Sequence, residues 1–356
     1  MLLNELFDFL PKSNKPASYG KSEGKYPFFN SSNIIDKFVD DPDYSGEFLI
    51  IGDGGTGNCK YYNGKFSATD HTYLLKPKNN TNCKLVKYFL EKDNYKILND
   101  GFKGVGIKNV SKSYIQNIEF KKNNKYTDQF ILDVLDSINI LLQENENQLV
   151  LLDELIKSRF IEMFGEKFEG EKIKLSKISN PIIGLTYRPD NVCDDGTIVL
   201  RSGNIQNNEL QIVDDVIRVT GVKINDNKYI QDKDILMCSR NGSARLVGKS
   251  CLIRNPQEKM TFGAFMTVIR TNYPYFLQSF FTSQYFKEQL TGVATTSVNQ
   301  ITSTMLNNYE VIEPSIEEEI EFASFVELID KSKFIVQKRI DTYKELLAKK
   351  MDEYFN

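Results

Sequence analysis

Arg240, Asn241, Ser243 and Arg245 crowd one short stretch, with Ser239 just before them. An arginine fork matches guanine in the major groove, an asparagine amide matches adenine, and a serine hydroxyl serves a base edge or a phosphate. A second polar turn, Gln206-Asn207-Asn208, follows Arg201 and Ser202-Gly203-Asn204. A third holds Ser297, Asn299, Gln300 and Thr302. Nearer the N-terminus, Asn30–Asn33, the run containing Thr56, Asn58 and Lys60, and the run containing Lys103, Lys108 and Lys112 have the same character. Amides in excess of charges suit base-edge reading, and the lysines suit phosphate.

Other chemistry is sparse. Gly52-Asp53-Gly54-Gly55-Thr56-Gly57 resembles the glycine loops that bind dinucleotides or S-adenosylmethionine, and a strand-like run, Phe48–Ile51, precedes it. Such a loop needs a helix after it, whose N-terminus faces the ligand. Cys59–Leu75 instead holds Asn63-Gly64 and β-formers, so a tight turn on a sheet rim is expected. The single histidine, His71, suits a packing or hydrogen-bonding role better than catalysis. The five cysteines are scattered without metal-ligand spacing, which argues against zinc and disulfides and fits a reducing cytoplasm. There is no phosphate-loop lysine motif and no base-methylation motif. The chain reads as a binder without a cofactor or metal of its own. A methyltransferase using the glycine loop and a coiled-coil scaffold without a DNA role are the alternatives.

The elements that must hold these residues come in two copies. One constant offset lays Leu85–Phe164 over Phe276–Phe355 without a gap, matching Asn117 to Asn308, Glu119 to Glu310 and Phe164 to Phe355. Polarity persists at Val110/Ile301, Ile138/Ile329 and Leu149/Ile340. Each copy contains strand-like runs: Phe48–Ile51, Lys60–Tyr62 and Thr72–Leu75 in the first, and Thr197–Arg201, Val216–Val219, Asp234–Cys238, Gly248–Ile253 and Phe265–Arg270 in the second. Turns at Asp53-Gly54-Gly55 and Asn63-Gly64 separate those of the first. A helix is expected over Leu85–Asn94 and over Pro274–Leu290.

Each copy then ends in a heptad seam. The first runs Ile131, Leu135, Ile138, Leu142, Asn145, Leu149, Leu152, Ile156. The second runs Phe322, Val326, Ile329, Lys333, Val336, Ile340, Tyr343, Leu347. A helix of about 38 residues spans roughly 57 Å, too long to bury such a stripe on one small domain, so the two seams are expected to meet. Asn145 and Lys333 interrupt them, as polar residues do when they set register. The expected class is α+β: two pseudo-repeated domains of mixed, mostly antiparallel sheet, each followed by a long helix, the helices pairing as an antiparallel coiled coil. The boundaries are a first domain at 1–126, a central helix at 127–165, a linker at 166–174, a second domain at 175–313 and a C-terminal helix at 314–356.

The net charge of −3 taken as a total disfavours nucleic acid, but its distribution does not. Asp128–Glu162 holds eight acids and two bases, and Ser315–Glu345 eight acids and five bases, which leaves +6 for the remainder. The base lies in the globular parts, and phosphate responds to local surface rather than to the total. Hydrophobic residues at 40% supply two cores, and no window is apolar enough to cross a membrane. Met1–Leu10 carries Glu5 and Asp8 and does not read as a signal peptide.

In four blocks the chain resembles the specificity subunits of Type I restriction-modification systems. They are Phe48–Asn58 with Ala68–Tyr73, Ile198–Ile205, Asp234–Ser243, and Tyr309–Ile320 leading into the last helix. The resemblance implies two target-recognition domains on two long antiparallel helices, each domain reading one half of a split double-stranded DNA sequence. It implies that the helices set the gap and dock two modification subunits, which bring S-adenosylmethionine. A restriction subunit would add ATP, magnesium and cutting. Two departures stand out. The first copy has no counterpart of Pro314 at its helix entry, and its stretch between Asn33 and Phe48 is shorter than that between Asn204 and Ile235.

Overall fold

The computed structural model describes residues 1–106, 108–212, 216–290 and 299–356. Internal contacts divide it into two units, Met1–Asn147 with Val336–Asn356, and Gln148–Ile335. Both are mixed α/β, and each includes part of two long helices, Asp128–Phe164 and Ile316–Phe355.

In the first unit the expected strands are the cores of longer ones, Tyr44–Gly52, Cys59–Ala68 and Thr72–Pro77. The sheet has six strands, ordered Phe7–Phe9, Thr72–Pro77, Tyr44–Gly52, Cys59–Ala68, Tyr26–Phe29, Phe38–Val39. All neighbours run antiparallel except Tyr26–Phe29 beside Cys59–Ala68. Alternation sorts the side chains. Leu49, Ile51 and Leu75 join the cluster that includes Val86 and Leu90 of the helical segment Cys83–Asn99, while Phe48, Ile50 and Leu74 join Phe29 and Phe66. That segment begins at Asn82, whose side chain accepts the Leu85 N–H, and it loses helical geometry at Lys92–Tyr95, near the expected end.

Asn63-Gly64 is not a turn. It lies inside a strand, with Gly64 opposite Gly46. Tyr62 and Phe66 on either side pack at 5.2 and 5.4 Å on Phe29, and extending the ladder buries them together. Gly46 takes the positive φ of +113° that this pairing needs. The turn expected at Asp53-Gly54-Gly55 is where Tyr44–Gly52 reverses into Cys59–Ala68.

The parts of the long helices in this unit bury Ile131, Leu135, Ile138 and Leu142 from one and Val336 and Ile340 from the other, with Tyr343 and Leu347 half-buried. Tyr354 packs 5.1 Å from Tyr126, and Phe355 lies 6.0 Å from Phe89. Asn145 is buried; its amide nitrogen donates to the Leu141 carbonyl at 2.7 Å, and its side-chain oxygen has no partner among the described residues.

The second unit has a four-stranded antiparallel sheet in the order Ser179–Ile183, Met266–Thr271, Ile235–Cys238, Ser250–Leu252. Ser179–Ile183 is a strand although it contains Pro181. It sits at the sheet edge, where a missing N–H is tolerated. A second sheet orders Val192–Cys193, Arg218–Val219, Thr197–Leu200, Met260–Phe262, the last two parallel. The helix expected at Pro274–Leu290 is two, Pro274–Thr282 and Gln284–Gln289.

The segment expected to be a linker is folded. Phe168 is buried with its ring stacked 4.1 Å from Tyr285, and Ile173–Lys174 pairs with Glu310–Val311. Its apolar residues outweigh its charged composition. The seam continues here through buried Phe322, Val326 and Ile329 and half-buried Leu149, Leu152 and Ile156. Lys333 ion-pairs with Asp153 and with Glu209, at 2.9 Å each.

Glu319 is 6% exposed, and its carboxylate accepts the N–H groups of Tyr275 and Phe276 at 2.9 and 3.1 Å, at the start of helix Pro274–Thr282. Burial pushes its pKa from the ordinary 4.5 up to about 7, against the pull of those N–H groups and of Lys233. Folded protein therefore holds this proton more tightly than unfolded chain between those values. The stabilisation is present at low pH and is lost as pH rises through about 7. Calorimetry from pH 5 to 8 should show this unit losing about 1–3 kcal/mol, and Glu319→Gln should flatten that slope. An unchanged slope in the variant would remove Glu319 as its source.

Candidate nucleic-acid interface

In the first unit the glycine loop lies where Tyr44–Gly52 turns back into Cys59–Ala68, so a strand follows it, as its composition suggested. Asp53, nearly buried, ion-pairs with Lys12 and lies 3.2 Å from His71 Nδ1, which makes His71 an anchor of the loop. Gly54 bridges Asn109, the Gly55 N–H donates to the Lys108 carbonyl at 3.0 Å, and the Val110 N–H donates to the Asp53 carbonyl at 2.9 Å. These bonds tie the loop to the hairpin of Phe102–Lys103 and Asn109–Val110. They bring Thr56 and Lys108, separate in sequence, into one exposed neighbourhood that also includes Lys103. Gly55 sits at φ +89°, a conformation glycine adopts without strain.

The six residues named for this unit divide. Thr56, Lys103, Lys108 and Lys112 are exposed, and none of these lysines has a carboxylate partner among the described residues. Lys112 lies 5.8 Å over the Phe9 ring. Asn58 is 2% exposed and committed to the loop itself: its amide nitrogen donates to the Ser31 and Thr56 carbonyls at 3.0 and 3.1 Å, and its oxygen accepts from Lys60 at 3.1 Å. Burial draws the Lys60 ammonium pKa downward. Asn58 and Lys60 shape the loop from within.

In the second unit two turns that are remote in sequence form one ladder. Arg240–Asn241 pairs antiparallel with Asn299–Gln300, Arg240 facing Gln300 and Asn241 facing Asn299. Asn241 donates to Ser202 Oγ at 3.3 Å, which draws in the Arg201–Asn204 segment. Beside the ladder lies a cleft of about 410 Å³ lined by Tyr187, Arg201, Ser202, Asn241, Gly242 and Phe265. Ser239 is buried and donates to the Phe265 carbonyl at 3.1 Å; the Asn241 side chain accepts the Ser243 N–H at 3.0 Å; Arg245 is exposed. Ser297 lies outside the described residues. Gln206 and Asn207 go elsewhere. They belong to the hairpin of Ile205–Gln206 and Glu209–Leu210, which turns through Asn207 and Asn208 at φ +51° and +60°. Asn207 lines a different cleft, with Asp153, Lys157 and Lys333, and the Glu209–Lys333 ion pair holds the hairpin there.

The arginines sort by partner. Arg159, Arg218, Arg254 and Arg270 each pair with a carboxylate. Arg188, Arg201, Arg240 and Arg245 are exposed and have no carboxylate partner among the described residues. Uncompensated guanidinium groups close to amides and a cleft suit an anionic polymer with base edges. Reasoning from sequence missed Tyr187 and Phe265. Phe265 is 57% exposed, and Gly263-Ala264-Phe265 connects two strands at a place where turns usually carry polar residues; that was the available signal.

Comparison with known proteins agrees with this chemistry. Residues 1–151 match the family model of the Type I restriction modification DNA specificity domain. Over 153 residues the chain is 26% identical to the Type I restriction enzyme StySPI specificity subunit of Salmonella potsdam, a match covering 41% of this chain and 33% of that protein. Over 99 residues it is 25% identical to a putative type I restriction enzyme specificity subunit of Haemophilus influenzae, covering 26% of each. The matches thus span about a third or less of these curated relatives. The crystal structure of the Type I restriction-modification S subunit from M. genitalium superposes with a TM-score of 0.60 at 15% identity, covering 100% of this chain and 95% of that one, a likeness of fold. Residues 1–151 thus resemble a Type I restriction modification DNA specificity domain in sequence, and the chain over its whole length resembles the M. genitalium S subunit in fold.

Proposed function

We propose that this chain is the non-catalytic DNA-recognition subunit of a cytoplasmic Type I restriction-modification complex, each unit reading one half of a bipartite double-stranded target. The observation that carries the proposal is a recurring construction. In the first unit the loop after the central strand is tied by Val110 N–H to Asp53 carbonyl, and in the second by Ile301 N–H to Ser239 carbonyl. The positions of the sequence repeat agree elsewhere too. Leu3 N–H bonds the Ile118 carbonyl as Leu175 N–H bonds that of Tyr309, and Ser111 and Thr302 cap the helices that follow. Lys84 meets Asp136 as Tyr275 meets Glu327. Two readers built alike fit a target of two short sites about one helical turn, ~34 Å, apart.

The seams support an antiparallel coiled coil. In the first unit Tyr354 packs on Phe130 while Lys344 lies 4.0 Å from Glu146. In the second, Phe322 packs on Phe160 while Lys333 meets Asp153. In both, rising numbers on one helix meet falling numbers on the other. Exposed Ile140, Leu151, Leu155, Ile161 and Leu328 on the same helices suit the docking of two modification subunits. Those subunits would hold S-adenosylmethionine, and a restriction subunit ATP and magnesium. Among the described residues no helix is long and apolar enough to cross a membrane.

The test is the methylome of a host with and without this chain. Modified bases should fall within two short sequences at fixed separation and vanish when the chain is deleted. A methylome indifferent to the deletion would overturn the proposal.

A further inference from the structure

We infer that the ladder of the second unit reads two neighbouring base pairs, a guanine through Arg240 and an adenine through Gln300, and that Phe265 is the positioning residue for the arginine. The inference rests on the DNA-recognition reading and adds base identity to it. Residues directly opposite in an antiparallel pair project to the same face, and their sequence neighbours project to the other. Asn241 and Asn299 share one face, and both are engaged internally: Asn241 donates to Ser202 Oγ at 3.3 Å and Asn299 to the Gly242 carbonyl at 3.1 Å. The other face carries Arg240 and Gln300. Arg240 is exposed, and the Gln300 side chain has no hydrogen-bond partner among the described residues.

The chemistry of that face names its ligand. Arginine forks onto O6 and N7 of guanine, and glutamine onto N6 and N7 of adenine. Opposed side chains start about 5 Å apart, within reach of adjacent base pairs stacked at ~3.4 Å.

A base reader must also be rigid, because a loose fork accepts any base or a phosphate. Arg240 is held on three sides. Its strand pairs with Asn299–Gln300, its N–H donates to the Phe265 carbonyl at 3.0 Å, and its guanidinium lies 5.1 Å over the Phe265 ring. The Phe265 carbonyl also accepts the Ser239 N–H at 3.0 Å, and the turn beneath it closes through Met266 N–H to Gly263 carbonyl at 2.8 Å. Aromatic ring and arginine thus stand on one fixed ledge, which gives the exposed ring a purpose. Arg201 and Arg245 have no such ring among the described residues and suit phosphate.

The experiment uses the complex purified through a tag on the full chain and a duplex carrying its methylome-defined target. Replacing the contacted guanine with 7-deazaguanine should weaken binding about 5- to 150-fold. Arg240→Ala should lose as much on the normal duplex and become indifferent to 7-deazaguanine; Gln300→Ala should do the same for 7-deazaadenine at the neighbouring pair. Phe265→Leu should blunt guanine discrimination without changing the salt dependence, and Phe265→Tyr should restore it. Should Arg240→Ala weaken all duplexes evenly and reduce the salt slope by about one, Arg240 is a phosphate contact and the inference falls while the recognition reading stands. If the wild-type complex binds target and random duplexes alike, both fall.

Discussion

Phe322→Ala should cost the second unit about 3–5 kcal/mol and lower its melting temperature by roughly 10 °C. Phe322 is fully buried, with ring centroids 6.0 Å from Phe160 and 5.6 Å from Phe164, both on the first long helix. Phe276 of the domain helix Pro274–Thr282 packs on the same two rings, at 5.6 and 4.9 Å. One side chain therefore holds part of both long helices and the globular core of this unit together. Truncation leaves a cavity among aromatic rings that cannot close by small movements. Leu328→Ala is the control, since Leu328 is on the same helix but exposed, where substitution changes stability by less than about 0.5 kcal/mol. Calorimetry of both variants decides the matter. A Phe322 variant melting with wild type would mean that these contacts do not hold the helices, and the proposed helix pairing would lose its support.

Arg240→Ala with Arg245→Ala should abolish sequence preference at one half of the target and leave the other half intact. The two arginines are among those without a carboxylate partner, so their removal breaks no ion pair seen among the described residues. The affected half should lose at least tenfold in discrimination, since a bidentate base contact is worth about 1–3 kcal/mol. The other half should keep its preference because its candidate readers, Thr56, Lys103 and Lys108, belong to a different unit. Competition binding with duplexes scrambled in one half at a time measures this. Equal loss at both halves would contradict independent readers.

Much of the secondary structure was legible because it is written in local periods. Each heptad residue is buried or half-buried along both helices, from Ile131 to Ile156 and from Phe322 to Leu347. The strands lie where β-formers cluster. Failures came where distant partners outweighed local propensity. Asn63-Gly64 has turn chemistry, but the aromatic residues beside it gain more by extending a ladder. Phe168 and Ile173 sit in a charged stretch, but buried partners await them. The candidate site was legible by residue type and less so by placement. Arg240 and Gln300 were named in separate turns, and no local pattern says that they face each other. Asn58 has the right chemistry for a base but faces inward, and Asn207 lines another cleft. Lys60 is half-consumed by Asn58.

By itself the sequence determined the positions of most strands and of the two long helices, the two apolar seams and the stock of amides and cations in the loops. These are properties of residue type and spacing, and short-range sterics and solvent exposure suffice to express them. Tertiary structure alone decided which cations are left without carboxylates, which amides are spent internally and that an exposed phenylalanine underlies Arg240. Those outcomes depend on pairings across long stretches of chain, where a one-residue change in register would turn every side chain to the opposite face.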